Sequence, residues 1–198
     1  MTTPDHPPKL RALGADGACY TICDGPRVGH AYPEIVWRAL GCTCENLGYT
    51  MSTTRELLEF TREHPISDYD LAIIQYGLVD SWLTFRHAPY VLYYPDNPRR
   101  RVLRKLVKKL KKMGRTFNFK SLLGSAHVVP LDEYRRNIEW AIEQAPGTTI
   151  ILLSTAPNLD EPRNPHIQSF NEELARIAAR YPHVIHVDIY ALINHRRG

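Results

Sequence analysis

The chain has 198 residues, 43% hydrophobic and 23% charged, the balance of a globular protein long enough for one full-sized core rather than a disordered or fibrous chain. Its net charge of +4 is unevenly spread: Asp96 to Lys120 holds eleven basic residues and one acid, so that segment carries +10 and the rest −6. No run approaches the roughly 18 apolar residues of a membrane span, and the polar, proline-rich stretch Met1 to Arg11 lacks the apolar core of a secretion signal.

Ala18 to Cys23 reads as the first strand and ends at Asp24-Gly25-Pro26-Arg27. Pro33 to Leu40 reads as a helix, with proline at a first-turn position and Gly41 as its stop. Cys42 to Asn46 is a short strand closed by Leu47-Gly48, and Thr53 to Glu63 a helix with Ser52 as the candidate cap. Leu71 to Ile74 is a short apolar run between polar residues, the pattern of a strand buried on both faces. It leads into Gln75-Tyr76-Gly77-Leu78-Val79-Asp80-Ser81. Leu131 to Gln144 reads as a helix, Thr148 to Leu153 as a strand, His166 to Tyr181 as a helix and Val184 to Val187 as the last strand, ending at Asp188.

Five strands alternating with helices imply a parallel sheet covered on both faces, a three-layer α/β sandwich in one domain spanning 1–198. The stretch from Tyr90 to Pro130 exceeds a crossover, so a basic helical segment at about 95–125 is expected as an insertion above the strand ends. In such sheets, sites form outside the carboxyl ends of strands. Those ends supply Asp24 and Arg27, then Gly48 and Ser52, then Gly77, Asp80 and Ser81, then Ser154 and Asn158, and finally Asp188 with His195. Cys19, Cys23, Cys42 and Cys44 match no common zinc spacing and read as small buried hydrophobes, with zinc or a redox pair as the alternative. No metal and no cofactor is expected.

These blocks resemble the SGNH/GDSL hydrolases, flavodoxin-like α/β sandwiches that act mainly on esters. Asn46-Leu47-Gly48 matches that family's second block, so the resemblance makes the Gly48 amide a candidate oxyanion donor. Gly77-Leu78-Val79-Asp80 matches its third block, Gly-x-Asn-Asp, with Val79 in place of asparagine. Cys23-Asp24-Gly25 stands where Gly-Asp-Ser is expected, which puts Gly25 at the nucleophile position. Ala191 occupies the histidine place of the family's Asp-x-x-His block after Asp188. Glycine has no hydroxyl to form an alkoxide and valine has no donor for an oxyanion, so the serine mechanism at Gly25 is excluded on that alignment. The replacement candidates are Asp24, Asp80, Ser81 and His195 for catalysis, and Arg27, Gly48, Ser52, Gly77 and Arg86 for substrate binding. Cys23, His30, His87 and His127 carry less motif support. The plain readings stand beside these: Ser81 bonded to its own turn, Asp80 capping backbone amides, His195 on a solvated tail.

Val102, Leu103, Leu106, Val107, Leu110 and Met113 recur three and four apart between the basic residues, an amphipathic helix. Its apolar side is expected on the body and its basic side in solvent, or, through residues 99–120, against an anionic membrane surface or anionic glycan. Nucleic acid is disfavoured, because no recognition motif accompanies the charge. The run Gln75-x-Gly77-x-Val79-Asp80 is similar to SGNH-like proteins that accompany bacterial surface-polysaccharide synthesis. The resemblance implies an ester hydrolase or acyltransferase for a carbohydrate or lipid-linked carbohydrate; the lack of a signal core and of a membrane-spanning run sets the expected location in the cytoplasm or peripherally at the membrane. The alternatives are a degenerate SGNH fold serving as a glycan-binding or scaffolding subunit and, third, a nucleotide-binding domain. Against the last, Gly14 and Gly17 precede the expected first strand.

Overall fold

The computed structural model describes residues 9–14, 31–41, 43–117 and 119–196. Its first half runs β1 (Lys9–Gly14), α1 (Tyr32–Leu40), β2 (Thr43–Asn46), α2 (Thr54–Glu63), β3 (Leu71–Gln75) and β4 (Leu83–Phe85). Then come α3 (Pro98–Thr116), α4 (Phe119–Leu123), β5 (Ser125–His127), α5 (Leu131–Glu143), β6 (Thr149–Leu153), α6 (Asn164–Ala178), β7 (Val184–Val187) and α7 (Ile189–His195). Five strands form one sheet in the order β2-β1-β3-β6-β7, every neighbouring pair parallel. This is flavodoxin-like winding, and its direction reverses between β1 and β3, the place where such sheets build their sites.

Side chains of the central strands alternate between two covered faces. Ala72, Ile74, Tyr76, Ile150 and Leu152 join the main core with Leu57, Phe60, Ile138 and Phe170 from the helices, all fully or nearly fully buried. α2 packs on α5 and α5 on α6, making one continuous helical layer. Right-handed crossovers put α1 on the opposite face.

The first strand departs from expectation. Ala18 to Cys23 lies outside the described residues, and the strand that pairs with β2 and β3 is Lys9–Gly14, with Leu10 opposite Cys44 on one side and Leu71 on the other. Next after β1 in the sequence come Ala15, Asp16 and Gly17, so this register, too, sets glycine rather than serine behind the aspartate.

The cap of α2 also shifts by one residue. Thr53 is the N-cap: its backbone is extended (φ −122°, ψ 177°) and its hydroxyl accepts from the Arg55 amide, while Glu56 reaches back to the Thr53 amide. This reciprocal box satisfies two free donors of the first turn. Ser52 stands one position too early, and its buried hydroxyl has no partner among the described residues. Thr53→Ala is expected to cost about 1–2 kcal/mol of unfolding free energy, read from urea titration, whereas Ser52→Ala changes it by less than half as much.

The basic segment forms α3 and α4, and the neck of this excursion is closed by a small antiparallel pair. β4 lies against β5 with Leu83 opposite His127 and Phe85 opposite Ser125.

Candidate active site

The loop after β3 turns tightly. Gly77 has φ +139°, and a Cβ there would lie 2.8 Å from Thr155 Oγ1. The Ser81 amide donates to the Gly77 carbonyl at 2.9 Å, and the Trp82 amide to that of Val79 at 3.2 Å. The Ser81 hydroxyl donates to the Leu78 carbonyl at 2.9 Å, so it is bound within its own turn, as the plainer reading expects.

The turn drives the Asp80 side chain inward. Asp80 is fully buried, and its Oδ1 accepts from the Thr54 amide at 2.9 Å and the Thr54 hydroxyl at 2.8 Å. The carboxylate thus sits on the N-terminus of α2, where free amides and the helix dipole favour negative charge. Asn137 extends the chain by donating to Thr54 Oγ1 at 3.1 Å. Asp80 Oδ2 is buried with no partner among the described residues. Burial pushes the Asp80 pKa up to about 7, against the downward pull of the Thr54 hydrogen bonds and with added repulsion from Glu56.

Glu56 anchors the neighbouring wall. Its carboxylate accepts from Thr53, from the Tyr90 hydroxyl at 2.9 Å and from the Tyr93 amide at 2.7 Å. Burial, with Glu56 beside it, pushes the Tyr90 phenol up, beyond the usual range. In the second block, the Gly48 amide donates to Asn46 Oδ1 at 2.9 Å. That amide is engaged, which removes it as a free oxyanion donor in this conformation.

The other expected residues lie apart. His195 ends α7 exposed, in a shallow recess with His186 and Asp188 beyond β7, two strands away from β3. Asp188 caps α7 and accepts from the Ser154 hydroxyl at 3.1 Å. Arg86 is exposed on the excursion's neck, its amide donating to Gly124. Asp24, Arg27, Gly25, His30, Cys19, Cys23 and Cys42 lie outside the described residues. The structure therefore gathers Gly48, Ser52, Gly77, Asp80 and Ser81 onto the loops after β2 and β3, and leaves His195 and Arg86 outside that cluster. Among the described residues, no three His, Cys, Asp or Glu side chains converge as a metal site.

Beside this cluster is a cleft of about 560 Å³ whose walls include Met51, Trp82, Thr84, Tyr93, Lys108 and Lys111. A smaller cavity of about 70 Å³ reaches inward to Val79, Tyr90 and Arg104. Met51, from the second-block loop, holds φ +66°, a left-handed conformation that costs about 1–2 kcal/mol and lies at the cleft wall. The roof is α3. Lys108 and Lys111 reach over the rings of Tyr93 and Tyr90 at 5.9 Å each, and Arg104 over Tyr93 at 5.1 Å. Burial lowers the Lys111 pKa, with Arg55 adding like-charge repulsion.

This roof overturns the expected orientation of α3. The face on the body is Arg100, Arg104, Val107, Lys111 and Gly114, and the apolar stripe is exposed. The cause is local. Arg100 donates to the carbonyls of Tyr94 and Pro95, and Arg104 to that of Leu92 and to Asp96. Gly114 lets Phe85 and Phe119 approach to within 3.0–3.1 Å of where a Cβ would stand.

One pair had no motif to announce it. His127 Nε2 and His166 Nδ1 lie 3.1 Å apart at the start of α6, with Phe170 edge-on to His127. Burial, then the neighbouring His166, lowers the His127 pKa.

The winding, the switch-point loops and the block residues define a three-layer α/β sandwich of the SGNH type. The model of the GDSL-like lipase/acylhydrolase family matches residues 14–198, and the chain belongs to that family. No curated protein matches the chain in sequence. Solved structures share the fold at low identity. A mutant of Axe2, an acetylxylan esterase from Geobacillus stearothermophilus, aligns with a TM-score of 0.62 at 21% identity, over 97% of this chain and 80% of its own. A lipase/acylhydrolase from Enterococcus faecalis aligns at 0.57 and 17%, over 95% and 79%. The α/β hydrolase LAE5 from the metagenome of Lake Arreo, Spain, aligns at 0.60 and 16%, over 97% and 81%.

Proposed function

We propose that the chain is an ester hydrolase or acyltransferase whose substrate is a carbohydrate or lipid-linked carbohydrate of surface-polysaccharide synthesis, handled on the cytoplasmic side. The carrying observation is the cleft between the β2 and β3 loops and α3. Its aromatic wall, Trp82 and Tyr93, suits stacking on a sugar face, and its cations, Lys108 and Lys111, suit an anionic group on the same substrate. The likeness to an acetylxylan esterase supports a carbohydrate ester by analogy.

In this reading water or a sugar hydroxyl attacks the acyl carbon, the bond to the alcohol oxygen breaks, and one proton passes from nucleophile to leaving group. Asp80 is the group assigned to that transfer. Its pKa of about 7 lets it take and return a proton near neutrality, and its Oδ2 has no partner among the described residues; because Asp80 is fully buried and does not line the cleft, the transfer requires a bridging water or an opening of the turn after β3.

A second reading, a degenerate fold that binds glycan without turnover, is favoured by the engaged state of Ser81 Oγ and the Gly48 amide and by the distance of His195 from the cluster. Acetate release from an acetylated oligosaccharide and from p-nitrophenyl acetate separates the two. The hydrolase reading expects turnover that falls about 100-fold or more in Asp80→Asn. Full activity in that variant removes Asp80 from the chemistry. Oligosaccharide binding with no release from either ester establishes the second reading.

A further inference from the structure

The stripe on α3 has no partner among the described residues. Val102 is 59% exposed, Leu103 49%, Leu106 58%, Leu110 37%, Met113 43% and Phe117 67%. Residues 103, 106, 110, 113 and 117 alternate spacings of three and four, so they line one side of the helix along its whole length. Soluble proteins rarely leave a contiguous apolar band of this kind uncovered. The helix is kept from rolling to bury it, because the adjoining side is held by the Arg100 and Arg104 bonds to the Leu92–Pro95 carbonyls and by the close seat of Gly114.

Charge identifies the occupant. Arg101, Lys105, Lys109 and Lys112 follow the same helical spacing and border the apolar stripe. Asp96, the one acid of the segment, is already paired with Arg101 and Arg104. A second copy of the chain would bring two strongly basic helices against each other. An anionic glycan would match the cations and leave the leucines in water. A helix with an apolar face, a lysine-rich flank and low overall hydrophobicity fits the headgroup boundary of a bilayer, and the flanking cations fit anionic lipid, each contributing about 1 kcal/mol near the surface. No helix among the described residues is long and apolar enough to cross a membrane, which suits a helix lying in the surface plane.

We infer that α3 is a docking helix for an anionic bilayer surface, with Leu103, Leu106, Leu110, Met113 and Phe117 entering the acyl boundary and Lys105, Lys109 and Lys112 meeting the headgroups. The same helix roofs the cleft through Arg104, Lys108 and Lys111, so docking sets the cleft beside the lipid surface. This deepens the lipid-linked-substrate reading above, yet binding is measured without any ester and so succeeds or fails independently of turnover.

The test is co-sedimentation of the full chain with vesicles of phosphatidylcholine alone and of phosphatidylcholine with 30% phosphatidylglycerol. The expected result is binding at least about tenfold tighter to the anionic vesicles, weakening with added salt. Leu106→Ser with Leu110→Ser is expected to reduce that binding about tenfold or more, while the melting temperature stays within a degree or two because both side chains are exposed. Lys105→Glu with Lys109→Glu is expected to reduce it similarly. Equal sedimentation with and without anionic vesicles overturns the inference. So does a concentration-dependent dimer that Leu106→Ser dissociates in the absence of vesicle binding. Binding lost in the lysine variant and untouched in the leucine variant also overturns it, since that pattern is surface adhesion without insertion.

Discussion

Gly77→Ala is expected to lower the unfolding free energy by about 3–4 kcal/mol, seen as a large drop in the urea midpoint with an unchanged slope. Two costs combine. A φ of +139° is glycine territory, and any side chain there is strained. The added Cβ also meets Thr155 Oγ1 at 2.8 Å. Thr155 cannot back away as a unit, because its amide and carbonyl are both held by the buried Asn171 side chain at 2.8 and 2.9 Å. The contributions separate in a double variant. Thr155→Ala removes the colliding oxygen, so Gly77→Ala in that background is expected to recover about 1 kcal/mol and retain the rest as backbone strain. Full recovery would show that the collision alone requires glycine here.

Asp80 is expected to make the protein less stable as pH rises from 4 to 7. Its folded pKa of about 7 lies above the unfolded value near 3.8. Below pH 4 both states hold the proton and the group adds no penalty. Between the two values the unfolded chain ionises while the folded one stays protonated, so stability falls through the window. Above pH 7 both are ionised and the loss levels off at up to about 4 kcal/mol. Asp80→Asn keeps an acceptor for the Thr54 amide and hydroxyl but cannot ionise. Its stability is therefore expected to be nearly flat over this window and to exceed the wild type above pH 7, measured by urea unfolding at pH 4, 5.5 and 7.5. Asp80→Ala instead strips both Thr54 donors of their acceptor and is expected to cost about 2–3 kcal/mol at pH 5. An Asp80→Asn profile parallel to the wild type would place the titration elsewhere.

The sheet was largely readable from the sequence because β3, β6 and β7 are short runs rich in β-branched residues between polar ones, a signal that depends only on adjacent residues and survives even at the edge strand β7, where Ile185 is exposed. β1 was missed for the converse reason: Lys9 and Arg11 alternate with Leu10 and Ala12 next to a proline-rich stretch, and the stronger apolar run at 18–23 drew the assignment. The α2 cap erred by one residue where the spacing Thr53-x-x-Glu56 already held the answer. For α3 the period marks an apolar side without saying which side meets the body. That was decided by arginine bonds to loop carbonyls, which no periodicity encodes. The site divides in the same way. Gly77, Asp80 and Ser81 were found from their place after a strand, but the partners that define them come from distant segments. Thr54 meets Asp80 across 26 residues, and His127 meets His166 across 39. Lys108, Lys111 and Tyr93 were visible as residue types and became cleft walls only once α3 folded back over the β2 and β3 loops.

The short β4–β5 pair has a consequence for how this scaffold varies. Everything between Phe85 and Ser125 leaves and returns through one antiparallel neck, tied by the Arg86 amide to the Gly124 carbonyl. Such an excursion is a cassette: its length and face can change without altering the register of any strand in the main sheet. It is not wholly free, because Tyr90 holds Glu56 and Tyr94 lies against Phe60. Those two tyrosines, with the Tyr93 amide that also donates to Glu56, are couplings a transplanted cassette must keep. Between them and the neck, roof chemistry can diversify by exchange while the floor of the cleft is inherited unchanged.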